Sequence, residues 1–165
     1  MQFKVGDKAV VPNLGVGVCT ELSTIDVEGE PYEVYIFEIL KTKNNQPTKY
    51  TVPRDSVGAN SVRELIPPEA IDRVYDILRD KETPADKQTW NRRYREYVQK
   101  INSGDPFELA SVLRDLARLK SEKTLSFGER KMFDQAHSLI VQEIAVARDV
   151  EEQAISDELE AIFNS

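Results

Sequence analysis

From Phe3 to about Leu65 the apolar residues fall in short runs rich in Val, Ile, Tyr and Phe, separated by turn signals, and this pattern predicts strands. Phe3 to Val11 reads as the first. Pro12-Asn13-Leu14-Gly15 then reads as a turn, because proline presets φ and glycine tolerates positive φ. Val16 to Leu22 follows. The longest run is Val34 to Leu40, apolar on most positions of both faces, so a central strand is expected there. After a polar turn at Lys43-Asn44-Asn45-Gln46 a short strand, Lys49 to Val52, is ended by Pro53, which removes a ladder donor. Lengths of this kind suit a small, strongly bent sheet or partial barrel of about four or five strands.

At Pro67-Pro68 the period changes to that of a helix, which sets a domain boundary between 1–66 and 67–165. Ile71, Val74, Tyr75 and Leu78 predict a first helix from about Glu69 to Arg79, broken at Thr83-Pro84-Ala85-Asp86. Thr89 is placed to cap a second, Trp90 to Ile101, with Gly104 just beyond its end. Asp105 as N-cap, Pro106 at the first position and Glu108 at the third open a helix buried through Leu109, Leu113 and Leu116. Ser126 and Glu129 form a capping box for a long helix to about Arg148, buried through Met132, Ala136, Leu139, Ile140 and Ala147. Asp149 and Glu152 suggest the same device before a last helix that buries Ile155, Leu159, Ile162 and Phe163. The expected fold is α+β and multi-domain, strands first and then an all-α bundle of about five helices.

Composition narrows the function more than the fold. The 165 residues carry a formal net charge of −7, which opposes a free-standing grip on DNA, because phosphate neutralisation supplies most non-specific affinity. Any nucleic-acid contact must be local or delivered by a partner. No stretch approaches the roughly 20 apolar residues of a membrane span, and Met1-Gln2-Phe3-Lys4-Val5 lacks the core of a secretory signal, so a cytoplasmic protein is expected. The single cysteine, Cys19, has no second thiol for a disulfide or metal site and reads as buried filler.

Catalysis has no visible foothold. The single histidine, His137, lies mid-helix beside Ala136 with no nucleophile to serve. Gly15 and Gly17 make a bare G-x-G between two strands instead of opening a helix, so no phosphate cradle results. The acidic residues are spread along helix faces without a metal-binding spacing. Neither an enzyme nor a cofactor is expected.

The exceptional segment is Trp90-Asn91-Arg92-Arg93-Tyr94-Arg95-Glu96-Tyr97, which sets the only tryptophan beside three arginines. On a helix Trp90, Tyr94, Tyr97 and Ile101 share an arc, while Arg92 and Arg95 point to the other side. Two readings follow. In one, Trp90 is core and the arginines are a solvated face. In the other, the first helical turn leaves the indole partly open as an apolar wedge, with arginines placed to hold phosphates, as in proteins that unstack a base step. In the strand half an exposed edge is either merely an edge or a template for a strand from another protein.

Phe3-Lys4-Val5-Gly6-Asp7-Lys8-Ala9-Val10-Val11-Pro12 with Gly15, Trp90 to Tyr97, Leu113-Arg114-Asp115-Leu116, and Leu125-Ser126-Phe127-Gly128-Glu129-Arg130-Lys131-Met132 together make the chain resemble the CarD/CdnL family over nearly its whole length. The resemblance implies that 1–66 is a Tudor-like small β-barrel that binds the β subunit of bacterial RNA polymerase by pairing a strand with it. It implies that 67–165 reaches the upstream edge of the transcription bubble in promoter DNA. There the family's tryptophan, matching Trp90, wedges into the minor groove, and basic residues matching Arg92, Arg93 and Arg95 contact the backbone, prolonging the open complex. Phe37, Thr51 and Pro53 fall on positions of the docking surface, with Tyr50 as a neighbour; some relatives carry arginine where this chain has Ile25 and Thr51. The implied protein is a monomer, associated with the nucleoid through polymerase. A polymerase adaptor that never touches DNA is the alternative.

Overall fold

The computed structural model describes residues 2–41, 46–58, 61–83 and 89–165. Among these, five strands precede five helices: β1 (Lys8–Val11), β2 (Gly15–Val27), β3 (Glu30–Ile39), β4 (Lys49–Pro53), β5 (Arg63–Glu64), α1 (Pro68–Arg79), α2 (Trp90–Ser103), α3 (Pro106–Glu122), α4 (Phe127–Arg148) and α5 (Glu152–Phe163). The expected turn at residues 43–45 and the break at residues 84–86 lie outside the described residues.

The strands form one antiparallel sheet in the order β4-β3-β2-β1-β5. Its two outer strands, β4 and β5, are not paired with each other among the described residues, so the sheet is open and does not close into the small β-barrel that the family resemblance implies. β2 carries a bulge, the kind of irregularity that bends a strand: Cys19 opposes Phe37 and Glu21 opposes Ile36, leaving Thr20 as the extra residue. The inner face buries Phe3, Ala9, Val11, Cys19, Tyr35, Phe37, Ile39, Val52 and Val62 as one apolar cluster. Phe3, expected in the first strand, meets Tyr35 and Phe37 edge-on at 5.6 and 5.3 Å without itself being in a strand. Beyond the bulge β2 and β3 run on as a hairpin around Glu28-Gly29, which the sequence pattern does not announce.

The helices build a second cluster around Val74, Leu113, Leu116, Ala136, Ile144, Ile155 and Leu159. Two caps act as expected: Asp105 accepts from the Phe107 N–H at 2.8 Å, and Ser126 and Glu129 form a reciprocal box. Two do not. Thr89 occupies the N-cap position of α2 without a side-chain bond, and Asp149, at φ 56°, closes α4 in the left-handed region instead of opening α5. No described helix is long and apolar enough to cross a membrane.

Candidate nucleic-acid interface

The surface around Trp90 is assembled from the first turns of two helices. α2 is anchored by Tyr97 and Ile101, which its helical spacing turns into the core, and it ends on Gly104 at φ 76°. Trp90 sits about two turns before the buried Tyr97, at the helix start, and is half-buried. The indole lies against the opening turn of α4, where a Cβ on Gly128 would stand 3.4 Å from Trp90 Cζ2. Tyr94 leans on the indole, ring centroids 5.7 Å apart, and is itself 46% exposed. The indole is therefore neither sealed under the tyrosines nor free.

Arg93 places its guanidinium 5.7 Å from the Trp90 ring, a cation–π contact, and its buried Nε has no hydrogen-bond partner among the described residues. Arg92 and Arg95 are exposed. Among the described residues no ion pair uses any of the three. With Lys100 they make four cations against the one acid Glu96, so α2 carries a net +3 in a chain of net −7. Lys100 pairs with Glu108 at 3.8 Å, whereas the three arginines, without carboxylate partners among the described residues, keep their charge available to an anion.

The start of α4 supplies a residue that the sequence reading passed over. Phe127 is 86% exposed, next in the chain to the glycine that supports the indole. At about 100° per residue it lies on the opposite side of the helix from Ala136, and this off-stripe position was the available signal. Its turn is rigid. Burial pushes the Glu129 carboxyl up, but bonds from the Ser126 N–H at 2.8 Å and Lys123 Nζ at 3.0 Å outweigh burial and hold it below its ordinary value. Arg130 and Lys131 follow on exposed positions. One supported aromatic, one projecting aromatic and the unpaired Arg92, Arg93 and Arg95 can stack on or part bases while holding phosphates.

The residues expected to face polymerase lie apart from this surface, on β4 and β3. β4 is an outer strand with Thr51 and Pro53 exposed and Tyr50 half-buried, so its free edge can accept another strand. Phe37 requires a correction as a contact residue. At 0% exposure, it packs under Tyr50 with Phe3 and Tyr35, because it shares the inward phase of β3 with Tyr35 and Ile39. Ile25 is exposed opposite Tyr32 on the hairpin, and Thr51 is opposite Ile36.

His137 stacks on Phe133 with centroids 5.9 Å apart, and Cys19 is buried with its thiol pushed up by desolvation. Among the described residues no group of three His, Cys, Asp or Glu side chains is arranged for a metal.

The family description "CarD, C-terminal domain" matches residues 73–160, just over half of the chain. The chain belongs to the CarD family. The CarD match begins within α1 and ends within α5, so it takes in Trp90, Arg92, Arg93, Arg95 and Phe127, while the strand half lies outside it. A Bacillus subtilis (strain 168) protein named "Putative transcription factor YdeB" is 27% identical over 153 residues, covering 93% of this chain and 97% of that protein.

Proposed function

We propose that this chain is a cytoplasmic, non-enzymatic transcription regulator that docks on the RNA polymerase β subunit and steadies the opened promoter. Membership in the CarD family and the likeness to a protein named as a transcription factor support the regulatory role. In this reading residues 1–66 are a Tudor-like docking module, with Tyr50, Thr51 and Pro53 on the β4 edge offered to a polymerase strand. Phe37 supports that edge from beneath. Residues 67–165 are the DNA-contacting module, in which Trp90 wedges at the upstream edge of the bubble and Arg92, Arg93 and Arg95 hold the backbone. Phe127 joins them as a second apolar contact.

The observation that carries this reading is the half-open indole beside unpaired arginines on a basic helix of an acidic chain. The overall charge argues against independent DNA binding. A tether to polymerase raises the local DNA concentration enough for a small basic patch to suffice. The regulator acts by binding the melted promoter better than the closed one, since only differential affinity moves that equilibrium. No cofactor enters, and one copy per polymerase is sufficient.

Capture of core polymerase by the purified protein tests the docking half. Wild type should retain polymerase, and Thr51→Glu, which sets a charge on the free edge, should retain less. Failure of the wild type to bind polymerase overturns the proposal. Retention of polymerase with no change in promoter melting favours an adaptor.

A further inference from the structure

The seam between sheet and helices is polar where a simple packing interface would be apolar. α4 runs through it with two consecutive polar side chains, Gln142 and Glu143, each 5% exposed and flanked by buried Val141 and Ile144. Gln142 Oε1 accepts the Val16 N–H at 3.1 Å, in space left by Gly15, where any Cβ would run into that oxygen. Glu143 accepts the Ile66 N–H at 2.8 Å and both arms of the Arg63 guanidinium at 2.7 Å each. Arg63 also bonds elsewhere: Nε reaches the carbonyl of Gly104 at 2.6 Å, and Nη1 the carbonyl of the neighbouring Glu64 at 3.0 Å.

Gly104 is the left-handed residue that ends the Trp90 helix, and it fits tightly on Pro12, whose Cγ would lie 2.9 Å from a Cβ there. A single guanidinium therefore joins β5, which pairs with β1, to the C-terminal third of α4 and to the end of α2. Replacing a buried ion pair by apolar residues is often neutral or stabilising, so stability alone is a weak reason for this one. Geometry is a stronger reason. α2 has 14 residues, a stiff rod of about 20 Å, so a swing of about 10° at Gly104 displaces Trp90 by roughly 3–4 Å. Such a displacement is comparable to the spacing of stacked bases, about 3.4 Å.

We propose that Arg63, held by Glu143, is a positioning residue that fixes the Trp90 helix relative to the docking sheet, so that docking on polymerase delivers the indole to one place on the DNA. This rests on the polymerase and wedge roles above. Without the strut both surfaces remain, but the span between them varies, and a tether that does not match its span loses effective concentration.

The test uses the full chain with Arg63→Met/Glu143→Met, which leaves no buried charge unpaired, and Arg63→Lys, which keeps the charge but cannot bridge both acceptors. Spin labels on Glu21→Cys and Gln99→Cys, both exposed, in a Cys19→Ala background, read the distance between the halves. Wild type should give a narrow distribution and both strut variants a broad one, with polymerase retained equally. Open-complex lifetime should fall by about fivefold or more, the lower end of ordinary coupling between sites. A distribution that stays narrow overturns the strut, and a broad distribution with wild-type lifetime overturns its role in positioning. The single lysine variant decides the matter if the double variant does not fold. If Trp90→Ala leaves the lifetime unchanged, the wedge itself fails, while the distance distributions still decide whether Arg63 fixes the helix.

Discussion

At Trp90 and Phe127 the same physics gives two different side chains. The indole rests against Gly128 and packs on the helical cluster, whereas the Phe127 ring is almost wholly in water. Phe127→Ala should change stability by no more than about 0.5 kcal/mol, as for other surface substitutions. It should nevertheless weaken DNA retention in the polymerase complex; urea melts and DNA crosslinking to the complex check the two halves. His137 makes a pH prediction. Burial, aided by Lys120 and opposed by Asp134 and Glu160, holds its imidazole below the ordinary 6.5, so the unfolded chain takes up the proton first. The folded state is then favoured fully above about pH 6.5 and loses that contribution as pH falls towards the lower folded value. In His137→Gln this part of the pH dependence should vanish from denaturant midpoints; its persistence would assign it to other groups. Of the site residues, the Trp90 arc was legible because helical spacing alone turns Tyr97 and Ile101 inward. The strand alternation that buries Phe37 was equally visible, yet the family position pointed the other way.

The elements were legible where a local signal and burial agree. Ser126 and Asp105 precede strong apolar stripes and cap their helices. Asp149 carries the same kind of side chain, but the chain leaves α4 there in a left-handed turn, a role aspartate also tolerates. The β2–β3 hairpin escaped notice because both of its faces are exposed from Thr24 to Glu33, so no buried face marks it, and its turn uses Glu28 at φ 52° before Gly29 at φ 83°. β5 is two residues long, below what any pattern can show. Ser126→Ala removes the acceptor for the Glu129 N–H and should cost about 1 kcal/mol. Because that turn supports the indole, Trp90 emission should also move to the red; an unmoved spectrum would show that the box and the indole are independent.

Across the whole molecule, charge and shape divide the work. A net charge of −7 opposes binding to bulk DNA, and under the proposed function the +3 of α2 matters only once polymerase brings a promoter close. Removing Arg92 and Arg95 together should lower the salt slope of DNA engagement within the polymerase complex by about 2, one unit for each lost phosphate contact. A titration of complex stability against salt reads this, and an unchanged slope would make the arginines a solvated face. The most direct measurement is the lifetime of open complexes after competitor challenge, compared for wild type and Trp90→Ala at equal polymerase occupancy. A shorter lifetime with the alanine variant is the predicted result, and equal lifetimes would contradict the wedge.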